Sequence, residues 1–201
     1  IQLFDVYPHK AQYKIGQSVI INVEIINKSE TYIKKTVGFI LYDFNETIVE
    51  KDEKFIIKPG LHTYMLEINM GTLKPNGYGV HVFIDEQEKA TAFDIVVHWR
   101  ERPRYGFLSD FYIGDEHDSE DIKQMNKYHL NVIQFYDWMY KHESLIPEKE
   151  YYVDLLGRKL SKKAVENKIE KCHEYGMNTM AYGAVYAASK DFFETHREWA
   201  L

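Results

Sequence analysis

The chain has 201 residues, 45% hydrophobic and 28% charged, with a formal net charge of -6. This is a globular balance, and its acidic sign argues against a nucleic-acid partner, which calls for a basic stripe. No apolar run approaches the roughly 20 residues of a membrane-spanning helix, no signal-peptide pattern opens the sequence, and a single cysteine, Cys172, excludes an internal disulfide and a multi-cysteine metal site.

Residues 1–98 read as short strands punctuated by turns. Val19, Ile21, Val23 and Ile25 alternate with Ile20, Asn22 and Glu24, the period-2 pattern of a strand with one buried face. Val37, Phe39 and Leu41 repeat it, as do Tyr78, Val80, Val82 and Ile84. Between them lie the turn-forming stretches Asn27-Lys28-Ser29, Asn45-Glu46, Lys58-Pro59-Gly60 and Lys74-Pro75-Asn76-Gly77. With Leu3–Tyr7, Leu61–Ile68 and Ala92–Val97 this makes roughly seven strands, the spacing of an immunoglobulin-like antiparallel β-sandwich. The Cys…Trp…Cys core of antibody domains is missing, so the reading rests on pattern alone.

The composition changes over 99–103, a charged linker that ends in Pro103. Beyond it, strands and helices alternate. Tyr105–Phe111 is a first strand, in which Tyr105 near the entry is expected in the core and Asp110 at the carboxyl end is a site candidate. Asp118, Ser119, Glu120 and Asp121 provide an N-cap and an acidic first turn, and Ile122, Met125 and His129 follow at helical spacing. Asn131–Asp137 is a second strand. Ser161 caps a further helix in which Val165, Ile169 and Cys172 share a face, and Gly176 stands where a C′ residue belongs. Residues 178–186 form a third strand, ending in Tyr182 and Tyr186 and passing into a small-residue loop.

Strands alternating with helices imply a parallel βαβ series. An eight-unit barrel takes about 250 residues, so residues 104–201 hold the first three β/α units of a (β/α)8 TIM barrel, incomplete as it stands. The whole is then a multidomain β plus α/β chain: a sandwich over 1–98, a linker, and the N-terminal part of a catalytic barrel.

The most informative segment is Asn131-Val132-Ile133-Gln134-Phe135-Tyr136-Asp137-Trp138. A continuous apolar run suits a strand buried on both faces. The Tyr-Asp-Trp that ends it lies where α/β barrels build their active sites. Aromatic rings offer flat apolar faces to sugar C–H surfaces, and a carboxylate accepts from ring hydroxyls; an aromatic content of 15%, with 16 tyrosines, is compatible with that chemistry. On these residues alone Asp137 is a tempting nucleophile, while a strand end that merely caps the core explains the segment equally well. Of Tyr136 and Trp138, at most one is expected to face ligand while the other packs. His142 and Glu143 sit in the long loop from Met139 to Leu160, the kind of loop from which barrel sites are built. The acidic stretch Gly114–Asp118 fails calcium-loop spacing and reads as helix capping, so no metal is expected. His173 and Glu174 read as structural, and Cys172 as a buried small hydrophobe.

Four stretches resemble glycoside hydrolase family 66: Arg104–Phe111, Asn131–His142, Asp154–Ser161 and Gly176–Ala188. The resemblance is specific across 104–201 and weaker before it, where that family also carries an immunoglobulin-like domain. It implies an enzyme acting on α-1,6-glucan (dextran, isomaltooligosaccharides) with retention, of the endo-dextranase type or, alternatively, a cycloisomaltooligosaccharide glucanotransferase. It also implies an aspartate nucleophile and a glutamate acid/base on later strands, so no catalytic residue is placed here and this chain alone is expected to be inactive. Under the resemblance Asp137 becomes a sugar-hydroxyl acceptor, with Tyr136, Trp138, Asp110, Tyr182 and His142 as further substrate-binding candidates. No cofactor is expected, and a secreted or cell-surface location is. A non-catalytic carbohydrate-binding protein and a ligand-free spacer module are the competing readings. The first is separated by whether five further β/α units bearing a carboxylate pair follow Leu201.

Overall fold

The computed structural model describes residues 1–44, 46–69, 71, 73–184 and 187–199. It divides into two compact units, one of residues 1–103 with 126–131, the other of residues 104–125 with 132–201.

The first unit holds eight strands: β1 (Gln2–Pro8), β2 (Tyr13–Lys14), β3 (Val19–Asn27), β4 (Ile33–Asp43), β5 (Glu46–Ile57), β6 (Gly60–Ile68), β7 (Asn76–Ile84) and β8 (Gln87–Val96). They form two sheets, ordered β1-β3-β6 and β2-β8-β7-β4-β5. Every pairing is antiparallel except that of β2, whose two residues run parallel to Ile95 and Val96. The alternation predicted along β3, β4 and β7 delivers Val19, Ile21, Val23, Ile25, Val37, Phe39, Leu41, Val80 and Val82 into one buried core shared by both sheets.

Strand β5 is invisible to pattern. Its centre reads Glu50-Lys51-Asp52-Glu53-Lys54, and a charged run is how an edge strand avoids pairing with another chain. Of the turn expected at Asn45-Glu46, Asn45 lies outside the described residues and Glu46 opens β5. At Gly79 a Cβ would lie 2.1 Å from Tyr42 Cζ, so the Tyr42 ring on the neighbouring strand requires glycine there.

The polar residues of β3 are also buried. Glu24 accepts from the Tyr7 hydroxyl at 2.8 Å, and Lys127 sits 3.3 Å from Glu24 and 2.7 Å from Asp5. Residues 99–103 are tied to the same unit: the Arg102 carbonyl accepts from Gln12 Nε2 at 2.9 Å, and its guanidinium lies 3.4 Å from Asp94.

The second unit is built on three parallel strands, β9 (Tyr105–Leu108), β10 (Val132–Phe135) and β13 (Asn178–Ala181), in the order β13-β10-β9. Parallel pairing is what alternating strands and helices require. Helix α1 (Glu120–Lys127) starts where Asp118 Oδ1 accepts from Glu120 N at 3.0 Å. It stops short of His129, which was expected to extend it and instead adopts φ 61° with its N–H on the Asn126 carbonyl. Helix α2 (Lys162–Glu174) begins at the N-cap Ser161, whose side chain accepts from Ala164 N at 3.2 Å. It ends in a Schellman motif: Gly176 (φ 73°) donates to the His173 carbonyl and Met177 to that of Cys172. Ile169, expected on the buried face, is only half buried; the fully buried position belongs to Lys168, 1% exposed and 2.6 Å from Asp121 of α1.

Between β10 and α2 the expected loop contains a hairpin, β11 (Tyr151–Val153) with β12 (Lys159–Ser161), and a short helix α3 (Lys190–Thr195) follows β13. Gly106, Leu108, Ile133 and Phe135 share the buried face of the parallel sheet, and Phe135 stacks on Phe111 at 5.4 Å. The opposite face carries Tyr105, Phe107 and Met180, which are 57%, 66% and 43% exposed. Tyr105 is therefore not a core residue here: its side chain stands exposed although its register partner Val132 is buried.

Candidate functional site

The strands of the parallel sheet end in polar and aromatic residues, and main-chain bonds carry the sheet order past the strand ends. Tyr136 N–H donates to the Leu108 carbonyl at 2.7 Å, and Tyr182 N–H donates to that of Phe135 at 3.0 Å. Those bonds bring Tyr136 and Tyr182 together with ring centroids 4.4 Å apart and planes tilted by 37°. Next to them opens a pocket of about 270 Å3, lined by Tyr136, Asp137, Met139, His142, Asp154, Leu155, Leu156 and Tyr182.

Asp137 leaves the strand conformation altogether. Its φ of 53° is left-handed, a state that Asp tolerates better than most side chains and that clusters at functional sites. The simple alternation expected along 136–138 therefore breaks at this residue, and consecutive residues Tyr136 and Asp137 both reach the pocket.

Arg158 holds that conformation. Its Nη2 donates to the Asp137 carbonyl at 2.6 Å and lies 3.9 Å from the Asp137 carboxylate. Arg158 is itself gripped by Asp154, whose Oδ2 accepts from Nε at 2.7 Å and lies 2.6 Å from Nη2. The other oxygen of Asp154 accepts from the backbone N–H groups of Leu156 and Arg158, at 3.0 and 2.8 Å, and Gly157 takes φ 79° to complete the turn. Asp154 is buried and its acceptor capacity is engaged. It anchors the hairpin tip and is not free to attack or to donate a proton. Asp137 and Asp154 both line the pocket, and of the two it is Asp154 whose oxygens are already engaged.

Of the residues singled out from sequence, the structure brings four together in this pocket: Tyr136, Asp137, His142 and Tyr182. Trp138 lies beside it and is half buried, its indole N–H donating to the Tyr182 carbonyl at 2.9 Å, which ties β10 to the end of β13. Asp110 is exposed beyond the end of β9 and does not line the pocket. Tyr186 lies outside the described residues. Glu143 is turned away to Ser189, accepting from its N–H at 3.1 Å and from its hydroxyl. Burial would raise the Glu143 carboxyl, but those two donors outweigh it and hold it below the ordinary carboxylate range. Among the described residues no group of His, Cys, Asp and Glu could hold a metal ion.

Sequence reasoning missed Asp154 and Arg158 as site residues. Asp154-Leu155-Leu156-Gly157-Arg158 is legible as a tight turn with an Asp accepting from the backbone ahead of it. That its arginine would reach a residue 21 positions earlier is not.

Comparison with known proteins gives a consistent result. The family model described as Glycosyl hydrolase family 66 matches residues 8–201. Two cycloisomaltooligosaccharide glucanotransferases of Niallia circulans are similar to this chain, at 27% identity over 209 residues and 25% over 210 residues; the matches take in 98% and 93% of this chain but 22% and 20% of theirs. A crystal structure of a Paenibacillus sp. cycloisomaltooligosaccharide glucanotransferase complexed with cycloisomaltoheptaose superposes with a TM-score of 0.86 at 24% identity, over 98% of this chain and 29% of that one. At that identity the likeness is one of fold, and the chain spans less than a third of the length of each of these proteins.

Proposed function

The chain belongs to glycosyl hydrolase family 66, and from that membership we propose that it is the N-terminal portion of a retaining enzyme that cleaves α-1,6-glucan, with endo-hydrolysis of dextran as its reaction. The observation that carries the reading is the pocket at the carboxyl ends of β10 and β13, where Tyr136, Asp137, His142 and Tyr182 converge. The carboxyl ends of parallel strands are where α/β barrels place their sites. Two tyrosine rings with a neighbouring carboxylate suit a glucosyl unit, apolar on its ring faces and hydroxylated at its rim.

In this reading the first unit is an immunoglobulin-like sandwich. The sheet orders β1-β3-β6 and β2-β8-β7-β4-β5, with β2 parallel to β8, support it. The second unit contributes the first three β/α units of a TIM barrel. Its parallel sheet leaves Tyr105, Phe107 and Met180 open on the face away from the one that buries Leu108, Ile133 and Phe135, as expected of a barrel interior that further strands would enclose.

Retention needs two carboxyl groups about 5–5.5 Å apart, one attacking the anomeric carbon and the other serving as acid and then base. Asp137 and Asp154 do not make such a pair, since Arg158 binds both and Asp154 is saturated with hydrogen bonds. The reacting pair is assigned to later strands, and Asp137 to a sugar hydroxyl. A polymer too large to enter a cell places the enzyme outside it.

Cyclising transfer is the second reading, favoured by the names of the similar Niallia circulans and Paenibacillus proteins. The experiment is incubation of the full-length protein with dextran, followed by product chromatography and anomeric NMR. Linear isomaltooligosaccharides released first as the α-anomer are expected. Cyclic products would move the assignment to the transferase, and an untouched polymer would overturn both.

A further inference from the structure

A second pocket, of about 400 Å3, lies in the same unit and is lined by Tyr140, Ser144, Pro147, Glu148, Lys149, Tyr151, Tyr152 and Val153. It is made from two stretches of chain, the one that follows β10 and the one that includes β11, and both also contribute to the first pocket, which takes Tyr182 besides. Met139 lines the first pocket and Tyr140 the second, and on the other stretch Asp154 lines the first and Val153 the second. The two pockets therefore draw on adjacent residues at both places.

Those stretches are bonded together where one pocket gives way to the other. The Tyr152 hydroxyl donates to the Trp138 carbonyl, and the rings of Tyr140 and Tyr152 meet edge to face at 6.3 Å. The Tyr140 end is stiffened by its own turn, in which Tyr140 N–H donates to the Leu145 carbonyl at 2.9 Å and Lys141 N–H to that of Ser144 at 3.0 Å. A tyrosine whose ring and hydroxyl are both engaged keeps its neighbours in place, so this pocket is preformed.

Its surface is not that of a finished exterior. Tyr151 and Val153 are 54% and 52% exposed at its wall. Around these apolar surfaces stand a hydroxyl (Ser144), a carboxylate (Glu148) and an ammonium (Lys149), groups that accept from and donate to hydroxyls. An exposed ring rimmed by hydrogen-bonding groups matches a pyranose, which presents C–H bonds on its faces and hydroxyls at its edge. A purely apolar ligand would leave Glu148 and Lys149 to be desolvated without partners, and a compact anion would gain nothing from the ring.

We propose that this pocket is an accessory glucan subsite, which takes a glucosyl unit of the same α-1,6-linked chain at a distance from the unit held by Tyr136, Asp137 and Tyr182. The assignment rests on the glucan reading of the first pocket. It adds that the protein favours long chains over short ones, because only a long chain reaches both pockets, and a second tethered contact raises affinity without changing the chemistry at the first.

The test uses the full-length protein with two probes, dextran and isomaltotriose, and two substitutions, Tyr151→Ala and Tyr151→Phe. Tyr151→Ala should raise KM for dextran by about three- to ten-fold, the scale of one aromatic contact. It should leave kcat on dextran and both constants on isomaltotriose unchanged, and Tyr151→Phe should stay within about two-fold of the parent because the ring remains. Equal effects of Tyr151→Ala on both probes, or none on either, would overturn the subsite. A parent protein that cleaves neither probe would instead overturn the glucan reading itself, so the two failures are distinct.

Discussion

Asp137 is held by a chain of charged hydrogen bonds that begins at a buried carboxylate. Asp154 fixes Arg158, Arg158 fixes the Asp137 carbonyl, and the left-handed backbone that results turns the Asp137 side chain to the pocket. A residue in that region stores about 1–3 kcal/mol of strain, which persists when the surroundings over-determine it. A charged acceptor to a sugar hydroxyl contributes roughly 1.5–3 kcal/mol when water is excluded. Replacing Asp137 with Ala in the full-length enzyme should therefore lower kcat/KM for dextran by about one to two orders of magnitude with little change in Tm, and Asn should recover part of the loss. Arg158→Ala should behave differently. It leaves the buried Asp154 carboxylate with two donors instead of four, so Tm should fall together with kcat/KM. Unchanged kinetics for Asp137→Ala in a folded protein would make Asp137 a bystander.

At the level of elements, α1 and α2 are joined by a charge where a hydrophobe is the usual choice. Lys168 is almost completely buried on the face of α2 that also buries Ala164, Val165 and Cys172, and its ammonium reaches Asp121 in the first turn of α1. Breaking a fully buried pair costs about 3–5 kcal/mol. Asp121 retains some solvent contact, so Lys168→Ala should destabilise by less than that, about 2–3 kcal/mol, and Lys168→Met by less again because it keeps the volume. Chemical denaturation of the two variants measures both. The neighbouring Cys172 thiol is pushed up to about 12, first by burial and then by Asp121. Its folded value lies above the unfolded value of 9.0, so the stability it contributes is complete below pH 9 and is lost as pH rises toward 12. A thiol-alkylating reagent at pH 8 should leave Cys172 unmodified until denaturant is added. Rapid labelling of the native protein would show that α2 opens readily.

For the molecule as a whole, the proposed reading makes this pocket the sugar-binding floor of a site whose reacting carboxylates lie on later strands. The pocket holds aromatic rings and an anchored carboxylate but lacks, among the described residues, a second carboxyl group free to react. Residues 1–201 expressed alone should release no measurable isomaltooligosaccharide from dextran, because the proposed reading puts nucleophile and acid/base on later strands, and together they account for most of the chemical acceleration. Detectable hydrolysis by the purified fragment would return Asp137 to the role of nucleophile that its position first suggests.

The sequence by itself determined the features whose cause is local. The period-2 alternation of Val19–Ile25, Val37–Leu41 and Tyr78–Ile84 placed the core strands, because neighbouring side chains on a strand must point to opposite faces. Ser161 and Gly176 marked the ends of α2, because capping is a bond to groups within a few residues. Tyr136, Asp137 and Tyr182 were legible as neighbours at one end of the sheet, since strand ends in a parallel sheet converge in space. Only the tertiary structure decided the rest. Strand β5 has a surface composition and owes its conformation to pairing with β4. Lys168 is buried because Asp121, 47 residues earlier, meets it there. The left-handed turn at Asp137 depends on an arginine carried in by a hairpin of its own. In each case the deciding partner is distant along the chain, and no spacing between near neighbours records it.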